Sequence, residues 1–316
     1  MTDRVTLLAP AKVNLYLAVG ARRSDGYHDL VTVFQSLDER AADVVTVSLA
    51  NELNVVCEPD IGVPSGENLA SRAIRALAGV VGRTPAIDVC IEKRIPPAGG
   101  LGGASADAAA ALVGACTLWG LDVATPEILD LARSLGADVP FFLVGGTALY
   151  GGRGDVLMKR LPFVRLPVVL INPGEPVSTP AAYAAFDRLL PQAAPPVERM
   201  VSALRAGDVP SIVGSLHNDL TDAACAVAPG TADALRFVRA IPGVSGALVS
   251  GSGSTVFAVC ADDVTADSVA AQAGDAGWWT LATATGEYGI TRWEPQTGPV
   301  PFGHSDSQGL SHEGRN

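Results

Sequence analysis

The chain has 316 residues, 48% of them hydrophobic, a mean hydropathy of +0.29, a formal charge of −11 and a pI near 4.8. That length accommodates two domains or one large one. The acidic balance argues against nonspecific nucleic-acid binding and against an anionic membrane surface, because both need clustered Lys and Arg.

In chain order, the start "MTDRVTLLAP" lacks the apolar core of a signal peptide, so a cytoplasmic protein is expected. Residues 12–19 (KVNLYLAV), 30–37 (LVTVFQSL) and 43–49 (DVVTVSL) are β-branched and roughly alternating, which predicts strands. Lys12 and Asn14 stand two apart and therefore share one strand face. The chain has only three lysines, Lys12, Lys93 and Lys159, so one inside an apolar strand is less apt to be filler; a solvated edge explains the pair equally well. In "DGYHDL" (25–30), Tyr27 and His28 follow a turn, where aromatic faces either stack on a flat ring or simply pack. Residues 67–82 show helical apolar spacing and stop on glycine, and 86–93 (AIDVCIEK) predict another strand.

Next comes "PPAGGLGGASADAA" (96–109). Without Cβ atoms a backbone can approach a ligand closely, its N–H groups can form a concave nest, and a following helix start adds partial positive charge. A phosphate chain suits such a place even on an acidic protein. The chain contains no "GK", which excludes a Walker A loop, and Ser105 stands where the dinucleotide fingerprint has its third glycine. A plain strand-to-helix connector is the equal alternative, although Pro96 and Pro97 fix the entrance geometry.

Ser105 to Trp119 predicts a helix with Ser105 as N-cap and Gly120 as stop, and 125–136 a second with Thr125 as cap and Pro126 in first position. In "LGADVPFF", Asp138 is either a turn aspartate or a carboxylate beside a reacting hydroxyl. "PFFLVGGTALYGG" looks like strand with a tight turn, and "KRLPFVRLP" (159–167) like a domain boundary. A strand at 168–174, a helix at 178–190 capped by Thr179, a helix at 229–241 and a strand–loop–strand at 246–261 follow. The last includes the uncharged run 240–261, whose turn chemistry rules out a membrane helix. Its loop "SGSGST" (250–255) is a hairpin turn unless it converges in space on the first glycine loop. Five scattered cysteines without CxxC and four histidines without HxxxH argue for reduced thiols and against a zinc centre. Residues 295–316 are polar and Gly/Pro-rich and are expected to lack order. Mixed elements without strict alternation predict an α+β fold.

The combination resembles the GHMP kinase superfamily, whose lysine strand, Gly-Leu-Gly loop and C-terminal glycine loop look like "APAKVNLYL", "PPAGGLGGASADAA" and "SGSGSTVF". With "DGYHDL" and "LGADVPFF" in the same order, the likeness is to the branch acting on a cytidine-diphosphate-linked methylerythritol, over residues 5 to 290. The resemblance implies two α+β domains, 1–163 and 164–294, with the active site in the cleft between them and a tail outside. It implies ATP-dependent, Mg²⁺-assisted phosphorylation of the 2-hydroxyl of that small molecule, a step of the non-mevalonate isoprenoid route.

By the same resemblance, Pro97, Ala98, Gly99, Gly100, Leu101, Gly102, Gly103, Ala104, Ser105, Ala106 and Asp107 wrap the ATP phosphates. Asp138 accepts the hydroxyl proton and Lys12 holds Asp138 ionised. Asn14 orients the hydroxyl, Tyr27, His28 and Tyr183 meet the cytosine, and Gly251 and Gly253 lie near the substrate phosphates. No side chain is assigned to the metal. Ala104 and Asp107 depart from the glycine and asparagine of many members; Asp107 must turn away from the phosphates or meet Mg²⁺. The alternatives are a relative acting on mevalonate-like or homoserine-like alcohols, and a regulator that binds nucleotide without turnover.

Overall fold

The computed structural model describes residues 3–189, 193–294 and 298–301. Strands β1 (Arg4–Pro10), β2 (Lys12–Arg22), β3 (His28–Ser36), β4 (Ala42–Leu49) and β5 (Asn54–Glu58) precede helix α1 (Leu69–Val81). Strand β6 (Ile87–Glu92) leads through the glycine loop into α2 (Gly103–Trp119), α3 (Pro126–Leu135) and α4 (Val139–Val144). Strands β7 (Thr147–Gly151), β8 (Val156–Leu161) and β9 (Pro167–Asn172) lead to α5 (Thr179–Phe186), α6 (Glu198–Ala206) and α7 (Val209–Gly214). The remainder is β10 (His217–Asn218), α8 (Thr221–Val227), α9 (Pro229–Arg239), β11 (Val244–Val249), β12 (Val256–Cys260), α10 (Asp263–Asp275), β13 (Trp279–Ala284), β14 (Thr291–Glu294) and β15 (Gly298–Pro301).

These strands build three sheets, in the orders β15-β14-β1-β4-β6-β5, β10-β2-β3-β7-β8 and β11-β12-β9-β13. Pairing is antiparallel except for β5 with β6 and β10 with β2. The mixed α+β architecture expected from the element order is what forms. In β6 the strict alternation buries Ile87, Val89 and Ile91 beneath α1 and α2 while Asp88, Cys90 and Glu92 face out. Helix α2 is buried on nearly every side from Ala106 to Cys116, so small residues are required: a Cβ on Gly114 would lie 2.5 Å from a Val47 methyl.

Four local expectations change. The segment 139–144 is helical, not extended: Pro140 suits a helix's first turn, and packing of Val139, Phe141 and Phe142 into the core outweighs their β-propensity. Helix α2 starts at Gly103, two residues before the expected cap, with Gly102 at φ 74° as its boundary and no side-chain cap, so Ser105 lies inside the first turn. The cap of α5 is Ser178, which accepts from the Ala181 N–H, and Thr179 is already helical. In the tail, Gly298–Pro301 extends the first sheet beside β14, because an edge strand offers backbone pairing that needs no apolar burial; residues 295–297 and 302–316 lie outside the described residues.

The division expected at 163/164 falls in the β8–β9 connection, yet one apolar core crosses it. Val13, Leu15 and Val33 pack in the same cluster as Leu170, Met200 and Phe257, and β14 returns to pair with β1.

Candidate active site

A cavity of about 540 Å³ opens where β2, the β6–α2 loop, the start of α4, α5 and the β11–β12 turn meet. Lys12 begins β2, its backbone N–H bound to the Leu101 carbonyl at 2.9 Å, and its side chain is 4% exposed. Nζ donates to Asn14 Oδ1 at 2.8 Å and to the Gly100 carbonyl at 3.0 Å, and lies 3.6 Å from Asp138 Oδ2. The Phe34 ring sits 5.3 Å from the ammonium. Asn14 is fixed in orientation: its Nδ2 donates to the buried Thr32 Oγ1, which donates to the Tyr16 carbonyl, each at 2.8 Å. The shared-face prediction for Lys12 and Asn14 thus resolves to a buried pair, not a solvated edge. Asp138 precedes α4 without capping it, and its carboxylate is 31% exposed to the cleft.

The glycine loop puts Ala98, Gly100 and Gly102 in the left-handed region, with φ of 54°, 77° and 74°. Such alternation turns main-chain N–H groups toward a common concavity, and α2 adds the positive end of its dipole there. The second glycine loop converges on the first, the condition set for a ligand-facing role. The Thr255 N–H donates to the Gly99 carbonyl at 3.1 Å, and Ser250 Oγ donates to the Gly100 carbonyl at 3.0 Å. No room remains between them: a Cβ on Gly100 would lie 2.1 Å from the Ser250 carbonyl oxygen. Gly100→Ala is therefore expected to cost about 2–4 kcal/mol of stability and to abolish tight nucleotide binding, read by thermal melting and by nucleotide titration.

Other expected contacts are distributed differently. Tyr183 and Gly251 line the cavity, whereas Tyr27, His28 and Gly253 are not among its walls. His28 is buried behind Tyr183, stacked on it at 5.1 Å and 22°, with Nε2 2.8 Å from Asp187 Oδ1. Burial first, and then the charge of Asp138, raise the Tyr183 phenol above its ordinary value and keep it a neutral donor. Tyr27 is 56% exposed on the rim beneath the Arg153 guanidinium, 5.0 Å away. Gly253 supports the second loop through its N–H to the Ser250 carbonyl, at 2.9 Å.

Ala104 is exposed on the first turn of α2, along the cavity wall. Asp107 is buried and turns to Lys93, whose Nζ donates to its Oδ2 at 2.8 Å and also to Asp43 Oδ2. Among the described residues no group of three His, Cys, Asp or Glu side chains is placed to hold a metal ion.

The family model described as the GHMP kinases N terminal domain matches residues 68–146, and that described as GHMP kinases C terminal matches 200–277. A Kineococcus radiotolerans protein named 4-diphosphocytidyl-2-C-methyl-D-erythritol kinase is 46% identical over 263 residues, 80% of each chain. The chain belongs to the GHMP kinases.

A solved 4-(cytidine 5'-diphospho)-2C-methyl-D-erythritol kinase superposes with a TM-score of 0.73 at 36% identity, covering 89% of this chain and 99% of its own. A homoserine kinase from Cytophaga hutchinsonii also gives 0.73, at 20% identity over 92% and 98%, which shows the shared fold alone. This GHMP kinase is thus a small-molecule kinase, and its phosphate donor is ATP. No helix among its described residues is long and apolar enough to cross a membrane.

Several wall residues of this GHMP kinase carry no sequence signal of their own. Thr32 and Phe34 reach the cleft from β3, Leu220 from the residue before α8, and Arg153 from the β7–β8 turn. Thr32 and Phe34 share a face at period two, the one clue that could have found them. Arg153 is held by Asp155, its Nη2 donating to Oδ2 at 2.8 Å.

Proposed function

We propose that this GHMP kinase phosphorylates the 2-hydroxyl of 4-diphosphocytidyl-2-C-methyl-D-erythritol with Mg·ATP, in the cytoplasm, as a step of isoprenoid biosynthesis. The observation that carries the reading is the juxtaposition of Lys12, Asn14 and Asp138 with the loop 97–107 on one side and the Tyr183 face on the other. The names and identities of the relatives support the acceptor, as does the Tyr183 ring, which lines the cavity, is backed by His28 and suits a nucleobase.

The roles follow from position. Phosphoryl transfer has a loose transition state, so alignment and charge stabilisation dominate. Main-chain amides of the loop and the start of α2 hold the triphosphate, with Mg²⁺ supplying further neutralisation when bound. Asp138 accepts the hydroxyl proton, Lys12 pairs with that carboxylate and meets developing charge, and Asn14 orients the hydroxyl. Of the three cations lining the cleft, Lys12 and Lys93 are themselves 4% and 5% exposed. Arg153, paired with Asp155 but 34% exposed, is the most open of the three to the acceptor's diphosphate.

ADP release is expected with the cytidyl substrate and Mg²⁺, and not with mevalonate or homoserine. Turnover of either alcohol in preference to the cytidyl compound would reassign the acceptor. Nucleotide binding without turnover of any of the three would favour a regulatory protein.

A further inference from the structure

Behind the phosphate loop lies a charge cluster that the reaction scheme leaves unused. Asp43 on β4 and Asp107 on α2 flank Lys93, which follows β6, and the three side chains are 0%, 5% and 5% exposed. Asp43 Oδ1 also accepts the backbone N–H groups of Arg94 and Ile95, at 2.6 and 2.9 Å. The cluster therefore ties the strand end where the loop begins to the second turn of the helix where it ends.

Its charge does not close. Two ionised carboxylates and one ammonium leave a net negative charge in the interior, beside the place where a triphosphate must sit. Asp107 Oδ2 is bonded to Lys93, but Asp107 Oδ1 is buried with no partner. Such an oxygen is costly as an unpaired anionic acceptor and becomes useful as an O–H donor. Both Lys93 and Asp107 sit above their ordinary values. Burial lowers the Lys93 ammonium, but Asp107 and Asp43 more than offset it. Burial pushes the Asp107 carboxyl up to about 7 despite Lys93, with Asp43 adding to the rise. That pattern describes an Asp107 carboxyl that changes protonation near neutrality beside a charged Lys93. The other titratable group facing it is Cys57 on β5, whose thiol is raised by burial and then by Asp107; Asn68 before α1 donates to its sulfur at 3.3 Å and is uncharged.

We propose that Asp107 is a proton-linked positioning residue for the nucleotide: triphosphate binding draws one proton from solvent onto Asp107 Oδ1, turning the unpaired acceptor into a donor beneath the phosphate loop, while Asp43 and Lys93 keep the two ends of that loop in register. This rests on the nucleotide occupying the loop, as in the proposed function. The sign follows from charge. A bound anion raises the Asp107 pKa above its free value, so binding takes up a proton between the two values. Affinity is then greatest below the free value and declines as pH rises above it.

The test is calorimetric titration of the intact protein with a non-hydrolysable Mg–ATP analogue in two buffers of different ionisation enthalpy, at pH 7.5 and 8.5. Wild-type protein is expected to take up a measurable fraction of a proton, with Kd rising by up to about tenfold per pH unit above neutrality. Asp107→Asn keeps an acceptor for Lys93 and supplies a permanent N–H donor. It is expected to abolish that uptake and to flatten the pH dependence relative to wild type, which also cancels any protonation of the ligand itself. Nucleotide binding without proton uptake in the wild type, or uptake unchanged in Asp107→Asn, overturns the inference alone. Absence of nucleotide binding overturns the functional reading and this inference with it.

Discussion

Asp138→Asn is expected to lower kcat by about 10²–10⁴-fold while the KM for ATP changes little. The carboxylate caps no helix and is partly open to the cleft, so its loss removes a proton acceptor and the ion pair with Lys12, but no helix cap. The phosphate loop is held instead by main-chain and hydroxyl contacts from the second glycine loop, none of which involves Asp138. Melting temperature should therefore stay close to wild type. Because transfer to an alcohol proceeds through a loose transition state, proton removal lags leaving-group departure, and a single carboxylate suffices as acceptor. Steady-state kinetics with the cytidyl substrate decide the matter: kcat within a few-fold of wild type would remove Asp138 from the role of base.

Lys12, Asn14 and the glycine loop were legible because each has a local cause: period two places the first pair on one face, and glycine is written wherever backbones must approach. Their meeting place was also readable through resemblance, since motifs far apart in the chain agreed in order. What stayed hidden depends on long-range packing. The run PFFLV reads as strand, yet its residues fill the core beneath α2 as a short helix opened by Pro140. Ser105 looked like a cap, but with Gly102 in the left-handed region the helix begins before it. Helices α7 and α8, of six and seven residues, are too short to display a 3.6-residue period, and the alanine-rich α10 blurs it; α6 does carry the period, in Met200, Ala203 and Leu204, and could be read from it. The Asp43–Lys93–Asp107 cluster joins residues 50 and 14 positions apart, so nothing local marks it. Of the two orientations that the sequence leaves open for Asp107, its side chain takes the one that turns to a partner, Lys93.

Lys12→Met is expected to be the most damaging single change that leaves the fold standing, with kcat/KM lowered by about 10³-fold or more. Methionine fills most of the lysine stem's volume against Phe34, and the Gly100 carbonyl keeps its bond from Ser250 Oγ, so the junction between the two glycine loops survives. What disappears is the one cation that touches both halves of the reaction: Asn14 and Asp138 on the acceptor side, the loop carbonyl on the donor side. Asp138 then faces the incoming γ-phosphate with no compensating charge, and the repulsion between the two anions goes unopposed. Arginine should not rescue the variant. The lysine side chain is 4% exposed and its ammonium is held by Asn14 Oδ1 at 2.8 Å and the Gly100 carbonyl at 3.0 Å, a geometry that a longer, planar guanidinium does not reproduce. If Lys12 and Asp138 act as one unit, the double variant Lys12→Met/Asp138→Asn will be scarcely slower than the worse single variant. Losses that instead multiply would mean that the two residues serve separate steps, and would break the link between the 3.6 Å ion pair and the chemistry.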